Sequence, residues 1–307
     1  MLLNACYDRP MIKKRSYFKT RSLPYLLILP QLLITAAFFY WPAIQGIVAS
    51  FQVSDPFGFR TRFVWFDNFI ALFSDPLYLK SILTTLTFSG LVAVVSITCG
   101  LFLATMANRA LRFTALTRTM LIWPYAIAPA ISGILWLFLL HPSYGVVAIG
   151  LEKMFGLDWN PLLNSSNAMF MIVLASSWKN ISYNFVFFLA GLQAVPHSLI
   201  EAAAMDGASP LRRFWSITFP LLSPTMFFVT VMTIIFSFFE SFGVIHAVTQ
   251  GGPGGSTNIL VYKVYQDGFI GLNLGSSSAQ SVILMGLIVL ITVLQFKFVE
   301  RKVQYTG

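Results

Sequence analysis

Long apolar runs separated by short polar clusters dominate the chain. A helix that crosses a bilayer needs about 20 mostly apolar residues, because the hydrocarbon core is roughly 30 Å thick and each residue rises about 1.5 Å. Six stretches meet that length, approximately residues 23–51, 81–107, 115–140, 168–192, 221–248 and 279–299. Their connections carry the Gly, Pro, Asn and Asp clusters of loops, as in Asp55-Pro56-Phe57-Gly58 and Gly251-Gly252-Pro253-Gly254-Gly255. No heptad pattern, low-complexity tract or internal repeat is visible. The expected fold class is an all-α membrane protein with six transmembrane helices. A cytoplasmic basic tail at 1–22 precedes the six-span domain at 23–299, and a short cytoplasmic tail follows at 300–307. The first run follows a basic tail, as in a signal peptide. It exceeds an h-region of about 7–15 residues and ends in no small-x-small cleavage site, so it reads as an uncleaved span. Met11 opens the basic run Lys13-Lys14-Arg15 and is an alternative start to Met1.

Composition sharpens this picture. Only 10% of residues are charged, against about 25% in a soluble domain. With 57% hydrophobic residues, 30 Phe and a mean hydropathy of +0.75, the chain has more apolar surface than it can bury in itself, and lipid must solvate the rest. The net charge of +9 is explained by topology: 14 of the 20 Lys and Arg lie in the N-terminal tail, in the loops after the second and fourth runs and at the C-terminus. The opposite side holds Arg60, Arg62, Lys80, Lys153 and Lys263, and Lys179 lies within a run. The positive-inside rule places both termini in the cytoplasm. No basic face interleaved with aromatics exists to suggest a nucleic-acid partner. Cys6 and Cys99 are too differently placed to form a disulfide framework or a metal site.

The segment between the fourth and fifth runs is more organised than a connector requires. Ser198 followed by Glu201 has capping-box spacing, Ala202, Ala203, Ala204 and Met205 are good helix formers, and Gly207 suits a left-handed helix end. Ser209-Pro210 reads as the cap and first position of a second helix. Physics alone leaves two readings open: an amphipathic hairpin resting on the membrane, or a helix presented to a groove on a cytoplasmic partner.

This segment resembles the EAA loop of ABC importer permeases: Glu201-Ala202-Ala203, Gly207, then Ile217-Thr218-Phe219-Pro220, with Phe219 where the pattern has Leu. The stretches Pro124–Ala130, Trp178–Phe185 and Tyr262–Tyr265, together with Asp55–Phe59, are similar to permeases of sn-glycerol-3-phosphate importers within the binding-protein-dependent, sugar-type family. The resemblance implies the type I importer permease fold, with a coupling helix inside loop 193–220 and Glu201, Ala202, Ala203, Asp206 and Gly207 as ATPase-coupling residues. It also implies a bacterial inner-membrane location and a heterodimer with a second permease. Further partners would be an ATPase dimer that binds ATP and Mg, and a periplasmic substrate-binding protein docking near the Gly-rich outer loop. No cofactor is expected in this chain, and no catalysis. The implied cargo is sn-glycerol 3-phosphate, with glycerophosphodiesters as a related cargo, and a sugar is the alternative substrate. The rival of another class, a self-sufficient secondary transporter, would want more intramembrane carboxylates and an inverted repeat.

Lys179 and Glu240 are ionisable residues inside apolar runs, where charge costs at least about 2.5 kcal/mol on insertion scales. Lys179, Asn180, Tyr183 and Asn184 form a polar run with the donors a phosphate-bearing substrate would need, and with Glu240 they are the substrate-pathway candidates. An interhelical salt bridge between Lys179 and Glu240 is the competing reading, and for Glu240 a structural or gating role is favoured, since a carboxylate repels phosphate. Pro124, Pro129 and Gly133 interrupt the third run, either as a kink beside the pathway or as packing. Trp136 and Trp178 lie deep and read as packing. The Gly-rich loop 249–258 lacks a Walker sequence, and His141, His197 and His246 share no metal or triad spacing.

Overall fold

The computed structural model describes residues 22–55, 60–109, 115–156 and 158–298. The basic tail with Met11 and Cys6, most of the Asp55–Phe59 match, Arg112 and the C-terminal tail from Val299 lie outside the described residues. The chain separates into two units, Met1–Gly46 and Ile47–Gly307. The described part of the first unit is helical: α1 (Leu23–Thr35) passes through a π-helical turn at Ala36–Tyr40 into α2 (Trp41–Ser50). Together these make a 28-residue apolar helix, long enough to span a bilayer.

The second unit takes in the last residues of α2, from Ile47, and continues with a short hairpin, β1 (Gln52–Ser54) antiparallel to β2 (Thr61–Phe63) with Val53 opposite Arg62. α3 (Asp67–Ser74) leads into the long α4 (Pro76–Arg109). α5 (Ala115–Ile122), a 3-10 turn at Trp123–Ala126 and α6 (Pro129–Leu139) follow, then α7 (Val146–Phe155) and α8 (Ser165–Gln193). Beyond α8 lie α9 (His197–Met205), α10 (Pro210–Arg213), a π-helical turn, α11 (Phe219–Leu221) and α12 (Ser223–Phe239). α13 (Phe242–Val248), α14 (Leu260–Tyr265) and α15 (Leu274–Phe298) complete the described chain.

Packing fixes the relative directions of the spans. Phe88 and Val92 of α4 share a core with Met171–Val173 of α8, while Ala104 and Ala107 share another with Phe188 and Leu192, so α4 and α8 run the same way. Val229 of α12 joins the second of these cores and Phe238 joins Tyr78 at the start of α4, so α12 runs against both. Phe296 meets Phe227 edge-on at 4.9 Å, and Ala279 and Leu284 share a core with Phe238, so α15 runs antiparallel to α12. Small residues permit the close approaches, as is usual between helices in lipid. A Cβ on Gly100 would lie 2.8 Å from Cβ of Asn184, and one on Gly133 would lie 2.7 Å from Val248.

Two of the six expected spans are not straight. The third is bent by 110° between Arg118–Ala126 and Pro129–Leu139, where Ile127 and Ala128 turn to extended backbone ahead of Pro129. The fifth, expected as one run over 221–248, breaks after Phe239, and α13 departs to bury Val244, Ile245 and Val248 against Leu140 and Met171. No proline marks this second break. It is set by tertiary burial of α13 and by Ser241, whose hydroxyl donates to the Ser237 carbonyl at 2.6 Å.

Candidate translocation and coupling sites

Both breaks converge on Lys179. A narrow cleft of about 20 Å³, room for about one water molecule, is lined by Lys179, Asn180 and Ser176 of α8, Pro129 at the start of α6, and Glu240 and Ser241 at the break after α12. Irregular backbone at membrane depth is tolerated where it lines such a cavity. Lys179 Nζ donates to Glu240 Oε2 at 3.2 Å; the lysine side chain is 15% exposed and the carboxylate 48%. The ammonium also lies 5.8 Å from the Tyr125 ring centroid, an attractive distance for a cation over a π face. Glu240 caps the carbonyl end of α12, so Lys179 answers both the carboxylate and the negative pole of that helix.

The polar run on α8 does not act as one face. Asn180 donates to the Ser176 carbonyl at 3.0 Å and lines the cleft. Tyr183 is half-buried in an aromatic group with Tyr125 at 5.5 Å, Phe187 at 4.7 Å and Phe236 at 5.2 Å. Asn184 is fully buried and points between helices, where its Oδ1 accepts from the Thr233 hydroxyl at 3.0 Å and its Nδ2 finds no partner. The structure thus brings Lys179, Asn180 and Glu240 together and leaves Tyr183 and Asn184 outside the cleft lining. Ser176 belongs to the same polar run in the sequence but not to the pathway candidates, and Ser241 is in neither. The i−3 spacing of Ser176 from Lys179 was the available signal for the first, whereas Ser241 required knowledge of the break. Trp178 is boxed edge-on by Trp123 at 6.0 Å and Trp136 at 5.9 Å, a packing arrangement.

At the far end of α8 the chain bends by 67° into α9. The expected capping box is not formed: α9 starts at His197 with Pro196 as its cap, and no side chain caps it. Proline supplies the extended entry that the serine was expected to shape, so Ser198 already lies within the helix. The other end is as the sequence implies. Gly207 has φ +77°, its N–H donates to Ala204 O at 3.1 Å, and Ala208 N–H donates to Ala203 O at 3.0 Å, a Schellman ending. Ser209 caps α10 by accepting from Arg212 N–H at 3.4 Å, with Pro210 at the first helical position. Glu201, Ala202, Asp206 and Gly207 are exposed and Ala203 is half-buried. α9 therefore offers an acidic, small-residue face with no buried residue of its own.

The opposite end carries the Gly-rich loop, where Gly251, Gly254 and Gly255 adopt positive φ and Lys80 reaches the Gly254 carbonyl at 3.5 Å. Beside it Lys263 pairs with Asp267 at 3.1 Å, and Asp267 also accepts from Gln280. His141, His197 and His246 stand apart, and among the described residues no cluster of metal-ligating side chains occurs.

Known proteins share this architecture. The sn-glycerol-3-phosphate transport system permease protein UgpA of Yersinia pestis is 54% identical over 295 residues, covering 96% of this chain and all of that protein. Its counterpart from Brucella abortus biovar 1 (strain 9-941) is 53% identical over 289 residues, covering 94% and 98% respectively. Among solved structures, a bacterial alginate ABC transporter in complex with an alginate pentasaccharide-bound periplasmic protein superposes with a TM-score of 0.80 at 23% identity, covering 93% of this chain and 96% of that one. Residues 96–305 match the family described as binding-protein-dependent transport system inner membrane component. The chain therefore belongs to this family of ABC importer permeases and is a transport subunit, not an enzyme.

Proposed function

We propose that this chain is the membrane-spanning permease subunit through which an ABC importer moves sn-glycerol 3-phosphate into the cytoplasm. The observation that carries the substrate is the near-complete coverage by relatives that bear that name at 53–54% identity. The cleft chemistry supports it. Lys179 is the cation a phosphate monoester needs at mid-span, and the N-terminus of α6 opens on the same cleft through Pro129. In the state described, Glu240 occupies that cation. The substrate phosphate competes with the carboxylate for Lys179, so the empty pathway is held closed by an internal ion pair that substrate replaces. Asn180 supplies a neutral donor. Tyr183 and Asn184 act from behind the lining by holding α8 against α12 and the Tyr125 ring.

The working assembly is this permease, a second permease, two ATPase subunits that bind ATP and Mg, and a periplasmic binding protein seated on the Gly-rich outer end. Both termini lie in the cytoplasm, with tails at 1–22 and 300–307 flanking the six-span domain at 23–299. Glu201, Ala202, Ala203, Asp206 and Gly207 couple the ATPase to the spans. The exposed acidic face of α9 and its continuity with α8 on one side and with α10–α12 on the other support that role. Vesicles containing the whole complex test the reading. Uptake of labelled sn-glycerol 3-phosphate should require both binding protein and internal ATP. ATP-dependent uptake of a sugar instead would reject the substrate, and transport by this chain without ATP would reject the importer role.

A further inference from the structure

A cavity larger than the cleft lies away from it, at the end of the bundle where α9 and α10 fold back. It has a volume of about 290 Å³ and lies between the C-terminal parts of α4 and α8 and the α9–α10 hairpin. Its polar wall consists of Thr105, Asn108, His197, Arg213 and Thr218. Arg213 is half-buried, its Nε is fully buried, and that nitrogen has no hydrogen-bond partner. Arg213 therefore brings a permanently charged and incompletely paired guanidinium to the cavity wall, the chemistry that recognises an anion through its remaining N–H donors. No Asp or Glu is among the lining residues.

A second space of about 230 Å³ adjoins it through the shared residues Thr105 and Phe214 and is otherwise lined by Phe102, Met106 and Leu211. Phe102, Met106 and Leu211 are 60%, 53% and 68% exposed. A cavity of mixed lining with a cation on its polar wall thus continues into an open apolar groove running along the end of a span. Free phosphate satisfies only the first space, and an uncharged lipid only the second. Both are filled by an anionic phospholipid, its phosphate on Arg213 and one acyl chain along Phe102, Met106, Leu211 and Phe214.

We propose that this site binds one anionic phospholipid of the cytoplasmic leaflet, which fastens the coupling hairpin to α4 and α8. Because its headgroup would touch both α9, through His197, and α4, through Asn108, lipid occupancy stiffens the joint through which nucleotide-driven movement reaches the spans. The inference rests on the cytoplasmic placement of α9. Reagent access to a Ser198→Cys variant reports that placement separately, and no step of the test below depends on the transported substrate.

The test uses the complete complex in phosphatidylcholine nanodiscs containing a trace of phosphatidylglycerol with a photoreactive acyl chain, with adducts mapped by mass spectrometry. Adducts are expected within residues 102–106 and 211–214. Unlabelled phosphatidylglycerol should compete them away, and added phosphatidylcholine should not. Arg213→Gln should lower their yield about tenfold or more, the scale of one lost charge-assisted hydrogen bond, and Arg213→Lys should restore most of it. Equal yield in Arg213→Gln overturns the proposal. Competition by millimolar inorganic phosphate also overturns it, since the site would then serve a soluble anion. If Arg213→Gln does not assemble, Met106→Trp decides: it obstructs the groove from its exposed side and leaves the cation in place, so adducts that persist in it refute the lipid.

Discussion

Lys179 and Glu240 stand 61 residues apart in the chain and 3.2 Å apart in the fold. Each alone is a charge inside an apolar run, and together they neutralise one another beside a cleft that holds about one water. The carboxylate is nearly half exposed, so removing the lysine costs stability of about 1 kcal/mol rather than the several expected of a sealed pair. Its cost to transport should be much larger. Lys179→Ala is expected to cut uptake of sn-glycerol 3-phosphate by about 10- to 100-fold, the worth of one or two charge-assisted hydrogen bonds, with complex assembly unchanged on size exclusion. The exchanged pair Lys179→Glu with Glu240→Lys restores the ion pair but puts the carboxylate on α8. Full uptake by that double variant would show that the pair serves structure alone. Lys179 and Asn180 were legible as polar residues in an apolar run. The burial of Asn184 was not, because helical spacing gives the order of faces around α8 but not which neighbour covers each.

Helix ends and close contacts decide the next scale. The end of α9 depends on Gly207 at φ +77°, where a side chain is strained. Gly207→Val should lose about 1–2 kcal/mol of local stability and weaken pull-down of the ATPase from detergent extracts. Gly207→Asn, which tolerates the left-handed region, should retain most of the association, and equal loss in both variants would point to side-chain contact instead of backbone geometry. Gly100 tests the packing of α4 on α8. A valine there would drive a Cβ to 2.8 Å from Asn184, and an overpacking cost of about 1–3 kcal/mol should appear as a lower thermal unfolding temperature of the purified complex. The Schellman ending and the Ser209 cap were readable from local chemistry. The capping box was not realised because Pro196, two residues before Ser198, took the cap position and set the helix start two residues earlier than Ser198 could.

For the molecule as a whole, α4, α8 and α15 run one way and α12 the other, as required of the second, fourth, sixth and fifth crossings of a membrane, and α9 lies at the end opposite the Gly-rich loop. Basic flanks then select the side. In a chain whose native cysteines are replaced, Ser198→Cys in sealed right-side-out vesicles should resist an impermeant thiol reagent until the membrane is opened, and Ser74→Cys, exposed at the end that carries the Gly-rich loop, should react at once. The reverse pattern would invert the topology, and with it the assignment of α9 as the ATPase contact.

The apolar runs, their approximate limits, the basic bias of their flanks and the short helix between the fourth and fifth runs all followed from sequence, because each depends on local quantities: run length against bilayer thickness, charge at the flanks, and residue chemistry at helix ends. Only the tertiary structure decided that the third and fifth spans are broken, that both breaks open on Lys179, and that Arg213 lies beside a cavity between the coupling hairpin and the spans. An apolar run looks the same whether it is straight or broken. What breaks the fifth is the burial of Val244, Ile245 and Val248 against residues of the third and fourth spans, a long-range gain invisible in any local window.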